Sequence, residues 1–139
     1  MLVLMNRLLF IAAMLALLGV GAGTFGAHGL TDYLSARVSP ERSAALQTSY
    51  ETGARYHMYH ALALLALAVA DLRWRRRSVF VAAGLFIAGI VIFSGSLYLL
   101  ALTNLSWLGA ITPIGGLCFF GGWVALMFAA CRRPSQPVR

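Results

Sequence analysis

Hydrophobic positions along this chain gather into four long runs, at about 8–26, 52–70, 80–102 and 108–131, parted by short polar segments. Each run is near the roughly 20 residues that a helix needs to cross the hydrocarbon core of a bilayer. Backbone polar groups in lipid have no water to bond, so a run of this kind is satisfied only as a helix. The pattern predicts an all-α fold, an integral membrane four-helix bundle occupying 1–139 as a single domain, with a disordered tail over 132–139. The first run follows Asn6 and Arg7 and is longer than the about 7–15 residues of a secretory signal core, so it is read as a retained span.

The polar segments predict the remaining elements. Between the first two runs, Tyr33, Leu34 and Val38 recur at helical spacing behind Thr31 and Asp32, which suits a short amphipathic helix on the membrane surface, capped by one of those two side chains. Ser39-Pro40-Glu41 reads as N-cap, first-turn proline and first-turn acid, so a second helix starts there and continues into the second run. Leu72-Arg73-Trp74-Arg75-Arg76-Arg77 forms a tight basic connector, and Thr103-Asn104-Leu105-Ser106-Trp107 a turn between the last two runs.

Composition sharpens the class. Hydrophobic residues make up 60% of the 139 and charged ones 11%, where soluble domains carry nearer a quarter charged. The formal charge of +7 in a soluble protein would suggest nucleic acid, but the arginines stand at the ends of apolar runs, where phospholipid and the positive-inside rule explain them. No nucleic-acid partner is expected. If the Arg-rich connector is cytoplasmic, four spans place both the N- and C-termini there too. Arg7, Arg73, Arg75, Arg76, Arg77, Arg132, Arg133 and Arg139 then collect inside, leaving Arg37, Arg42 and Arg55 outside. Cys118 and Cys131, thirteen positions apart, would be roughly 20 Å apart along one helix and cannot pair.

Chemistry-bearing side chains fall at one depth, the outer half of the bilayer: His28 after the first span, Arg55, His57 and His60 in the second, Ser94, Ser96 and Tyr98 in the third, Thr112 and Pro113 in the fourth. An ionisable group at such depth is a site hypothesis by default; the competing reading is a polar layer in which arginine and tyrosine snorkel and hydroxyls bond their own helix. Glu51 and Arg55, one turn apart with the acid first, suit a structural ion pair. His57 and His60 could share a metal, but a zinc or copper site needs further ligands that the spacing does not offer, so no metal and no cofactor is expected. Gly19 with Gly23, and Gly84 with Ala88, have the four-residue spacing of close helix contact. All four acids, Asp32, Glu41, Glu51 and Asp71, stand outside the middle of a span, which argues against proton-coupled export.

Phe25-Gly26-Ala27-His28-Gly29-Leu30, Arg55-Tyr56-His57-Met58-Tyr59-His60-Ala61-Leu62-Ala63, Phe93-Ser94-Gly95-Ser96-Leu97-Tyr98-Leu99-Leu100-Ala101-Leu102 and Thr112-Pro113-Ile114-Gly115-Gly116, with Gly122-Trp123, follow one another in this order. Together they closely resemble the YgdD-like family of small bacterial inner-membrane proteins, a domain of unknown function (423). The resemblance spans nearly the whole chain and implies four spans and an inner-membrane location. Members of that family carry glutamine at the position of His57, whereas His28 and His60 match, which weakens a two-histidine metal site. A shared site would use His28, Arg55, His60, Ser94, Ser96, Tyr98 and Thr112. The expected role is that of a non-enzymatic membrane component, surrounded by membrane lipids, that packs with itself or with a membrane-protein partner. The alternative is a small transporter or lipid- or ligand-binding protein using the outer polar layer, and a headgroup enzyme would need His28 or His60 beside Ser94.

Overall fold

The computed structural model describes residues 2–70 and 77–131, of which residues 2–6 are described by their backbone alone. Every regular element among them is helical: α1 (Leu2–His28), α2 (Leu30–Ser35), α3 (Pro40–Val69), α4 (Arg77–Gly89), a π-helical turn (Ile90–Ser94), α5 (Gly95–Thr103) and α6 (Leu108–Cys131). Three stretches are long and apolar enough to cross a membrane, Arg7–His28, Arg77–Thr103 and Leu108–Cys131. The second of these, Arg77–Thr103, is interrupted only in hydrogen-bond pattern, since α4, the π-turn and α5 follow without a break. The basic connector 71–76 and the tail 132–139 lie outside the described residues.

The expected second span, 52–70, forms the latter part of α3, whose 30 residues extend about 45 Å. Its Arg55, His57 and His60 make that stretch less apolar than the other three. The start of α3 follows the sequence signal: Ser39 is extended at φ −64° and ψ 157°, its hydroxyl accepts from the Arg42 amide at 3.4 Å, and Pro40 sits in the first turn. The start of α2 does not. Gly29 precedes it without a side-chain cap, while Thr31 and Asp32 lie within the helix and the Thr31 hydroxyl donates to Gln47 Oε1 at 3.3 Å. A carboxamide on α3 thus takes the hydroxyl that the sequence assigned to capping.

Burial runs opposite to that of a soluble domain. Large apolar side chains such as Leu17 (71% exposed), Leu117 (70%), Phe120 (70%) and Met127 (68%) face outward, where only an apolar solvent would stabilise so extensive a surface. Inside, α1 packs along α3, α4 along α6, and α3 against the π-turn and α5. One core cluster joins Ala12, Ala61, Leu64, Ala83, Phe86, Ile90 and Phe119. A second, at the α2 end, joins Leu30, Leu34, Leu46, Tyr50 and Ala101.

Glycine sets the closest approaches. A Cβ at Gly115 would collide with the backbone nitrogen and Cα of Phe93 in the π-turn, and Cβ atoms at Gly89 and Gly122 would collide with the rings of Phe119 and Phe86. Of the expected packing pairs, Gly19 meets α3, where a Cβ would stand 3.1 Å from Met58 Cε, but Gly23 and Gly84 face open space within the chain and Ala88 is half-buried. The contact of α6 with α4 is therefore carried by Gly89 and Gly122, and that with the π-turn by Gly115.

The α2 end is tied by side chains. Arg42 donates from Nε to Asn104 Oδ1 at 2.8 Å and from a terminal nitrogen to Ser106 Oγ at 3.2 Å. Tyr33 donates to the Leu102 carbonyl at 2.9 Å, and the Arg37 guanidinium lies 3.9 Å above the Tyr33 ring. Asn104, at φ 57°, takes the left-handed conformation that ends α5, one that asparagine tolerates better than most residues.

Candidate functional site: a divided polar layer

The sequence places seven candidate residues at one depth, and the structure sorts them into separate groups. His60 is 4% exposed on α3. Its Nδ1 lies 2.8 Å from the Tyr56 carbonyl; a carbonyl only accepts, so Nδ1 carries the hydrogen. Nε2 is then the acceptor, and it receives Trp123 Nε1–H at 3.2 Å. Both nitrogens of one tautomer are used. The ring also stacks on Phe119, with centroids 3.6 Å apart and planes 10° apart. His60 is thus fixed by one helix on each side, α3 through its own backbone and α6 through Phe119 and Trp123.

Ser96 and Thr112 join α5 to α6, their hydroxyls 2.9 Å apart. Ser96 Oγ is also 2.9 Å from the Phe93 carbonyl, and Thr112 Oγ1 3.3 Å from the Leu108 carbonyl. Each hydroxyl has a single hydrogen to donate, so one of the two serves the other hydroxyl while its partner serves a carbonyl.

Tyr98 turns instead toward α3, where its hydroxyl is 3.2 Å from His57 Nδ1 and its ring lies 4.8 Å from that of Tyr50. Tyr50 in turn donates to the Ala22 carbonyl of α1 at 3.1 Å. Three helices are linked by these two tyrosines, and sequence reasoning missed Tyr50 because it precedes the expected span. Trp123 and Phe119 were also missed as partners of His60, although their four-residue spacing places them on one face of α6.

Two buried polar atoms have no partner among the described residues, Ser94 Oγ and His57 Nε2. Ser94 closes the π-turn and is fully buried, with its carbonyl against Gly53. The His57 ring faces α1, where a Cβ at Gly19 would stand 3.6 Å from its Cδ2. No His, Cys, Asp or Glu triad with metal-holding geometry occurs among the described residues.

His28 and Arg55 stand apart from these groups. His28 is exposed at the end of α1, and Arg55 is exposed on α3. The expected Glu51–Arg55 ion pair is not formed: Glu51 Oε1 accepts from Gln47 Nε2 at 3.3 Å, one turn back along the exposed face. Glu51 and Arg55 instead border a hollow of about 260 Å³ between α1 and α3, whose other lining includes Gly23, Gly26, Ala27 and Tyr50. A second hollow of about 290 Å³ lies under the α2–α3 turn, lined by Val38, Ser43 and Gln47 among others. His60, Ser94, Ser96, Tyr98 and Thr112 line neither.

A chain of apolar-faced helices whose polar groups pair inward is an α-helical membrane protein. The chain belongs to the family described as "Protein of unknown function (DUF423)", whose model matches residues 22–116. It is 44% identical over 129 residues to the UPF0382 membrane protein YwdK of Bacillus subtilis, covering 92% of this chain and 98% of that protein. It is 42% identical over 123 residues to a Staphylococcus saprophyticus UPF0382 membrane protein, covering 88% and 95%. To the UPF0382 inner membrane protein YgdD of Escherichia coli it is 39% identical over 127 residues, covering 90% and 89%. No solved structure matches the chain. With its apolar helices and these relatives, the protein is a multi-pass protein of the bacterial inner membrane.

Proposed function

We propose that this protein is a non-enzymatic structural component of the inner membrane, built as a four-span bundle with both termini in the cytoplasm. The observation that carries this reading is the pairing of the polar layer: His60 with Trp123, Ser96 with Thr112 and Tyr98 with His57 each tie one helix to another. Polar groups spent on one another across helices act as packing devices in lipid. A nucleophile beside a base would read differently, and neither His60 nor His28 is hydrogen-bonded to Ser94, whose hydroxyl has no partner among the described residues. The inner part of α3 supplies the fourth span, its histidines turned away from lipid. Association with a second copy or a membrane-protein partner then uses an open small-residue face, for which the exposed Gly84, followed one turn later by Ala88, is suited.

Two measurements test the proposal. Native mass spectrometry of the wild type beside His60→Ala and Ser94→Ala should show no metabolite whose retention depends on either residue, with the substitutions lowering stability alone; a small molecule lost from both variants while they remain folded would overturn the structural reading. Topology is read separately by a membrane-impermeant maleimide on Ser106→Cys in a background with Cys118 and Cys131 replaced by alanine. Labelling of intact spheroplasts supports the four-span orientation, and labelling only after permeabilisation overturns it.

A further inference from the structure

The lipid-facing side of α3 bears an ordered sequence of chemistries. Glu51, Arg55, Tyr59 and Leu62 follow one another at intervals of four, four and three residues, so they form a single stripe along the helix. All four are exposed, Tyr59 at 57% and Leu62 at 50%. The stripe thus passes from an acid, through a cation one turn or about 6 Å deeper, to an amphipathic ring and then to hydrocarbon. Neither charge is spent within the described protein, because Glu51 meets only the carboxamide of Gln47 and no ion pair engages Arg55.

Beside the two charges lies the hollow of about 260 Å³ between α1 and α3. Gly26 lines it where a Cβ would already stand 3.0 Å from the Tyr50 ring, while Gly23 one turn deeper opens onto free space. Apart from the Tyr50 ring the rest of the lining is glycine and alanine, so the charged rim sets what enters. An exposed guanidinium at the edge of a bilayer is suited to a phosphate, which it can hold by two parallel N–H···O bonds. The carboxylate lies farther out and calls for a cation that can donate hydrogen bonds.

We infer that this groove binds one phospholipid whose headgroup carries a primary ammonium beyond its phosphate, as in phosphatidylethanolamine: phosphate on Arg55, ammonium on Glu51, ester region beside Tyr59 and an acyl chain along Leu62. The order of charges along α3 is the order of charges in that headgroup, from water toward hydrocarbon. A phosphatidylglycerol would meet Arg55 equally well but offer Glu51 only neutral hydroxyls, without the charge that strengthens the bond, and a phosphatidylcholine ammonium has no N–H to donate. The inference rests on α3 crossing the bilayer below Thr52, and it holds whichever side of the membrane the α2 end faces.

Native mass spectrometry after release into detergent micelles containing phosphatidylethanolamine, phosphatidylglycerol and phosphatidylcholine in equal amounts tests it. The wild type should retain phosphatidylethanolamine over the other two by roughly tenfold, the scale of one charge-assisted hydrogen bond. Arg55→Gln should lose retention of all three. Glu51→Gln should keep a bound lipid but lose the preference for phosphatidylethanolamine over phosphatidylglycerol. Both side chains are exposed, so folding should survive, and His60→Ala serves as a variant whose lipid retention is unchanged. Equal retention of the three lipids by the wild type, a preference for phosphatidylglycerol, or selectivity surviving both substitutions would each overturn the site. Should the maleimide experiment overturn the topology while lipid selectivity stays as stated, the four-span orientation falls and the site stands.

Discussion

His60 illustrates how one side chain can be read two ways until its neighbours are known. Alone on an apolar helix it is a possible base or ligand; with Nδ1 on the Tyr56 carbonyl, Nε2 on Trp123 and its ring on Phe119, it is a satisfied packing residue. Replacing Trp123 by phenylalanine keeps the aromatic bulk and removes the donor, so it should cost about 1–3 kcal/mol, the penalty of an unsatisfied buried acceptor, read as a lower midpoint in detergent-based unfolding. Thr112→Val should cost about 1 kcal/mol for the same reason, and combining it with Ser96→Ala should cost less than the sum of the two, because both remove one contact. Gly115→Ala should be the most damaging small change, since its methyl would enter the backbone of Phe93; overpacking of this kind costs about 1–3 kcal/mol or more. Gly84→Ala, facing open space, should leave the stability of the isolated chain unchanged or raise it by about 0.5–1 kcal/mol through helix propensity. Four-residue spacing singled out Gly84 for helix packing and passed over Gly115; the position of the opposing helix reverses that order.

At the scale of elements, the apolar helices and the start of α3 were legible because apolar runs and the Ser39-Pro40-Glu41 signal act locally. The π-turn at Ile90–Ser94 was not, for it depends on how Gly115 brings α6 against Phe93 and leaves no mark on hydrophobicity. A π-turn behaves as one residue inserted into an α-helix. Deleting Val91, whose side chain is 64% exposed, should therefore close the turn into regular helix and leave α4 and α5 on their present faces. Deleting Ala82 from the regular part of α4 should rotate everything beyond it and prevent folding. Circular dichroism and monodispersity of the two purified deletions distinguish these outcomes. The Glu51–Arg55 pair failed as an expectation for a comparable reason: i,i+4 spacing permits contact, but Gln47 lies equally near Glu51 on the other side. The Arg42 clamp joins elements distant in sequence, and Arg42→Ala should increase amide exchange across 104–107 while the helix cores stay protected.

For the whole molecule, the arginine asymmetry and the four apolar runs indicated class and location, and the family relationship agrees with both. The depth argument, which placed His28, Arg55, His60, Ser94, Ser96, Tyr98 and Thr112 at one level, could not say which helix faces meet. Depth is encoded in sequence position, but azimuth depends on packing, and here packing divides the layer among α3–α6, α5–α6 and α3–α5 contacts. The inverted burial has an evolutionary corollary. Lipid chains conform to any shape, so leucine, phenylalanine, valine and methionine are interchangeable across the bulky outer surface, while the glycines under Phe86, Phe93 and Phe119 admit no substitute. Sequence drift in such a protein should gather where side chains are largest, and constancy where there is no side chain at all.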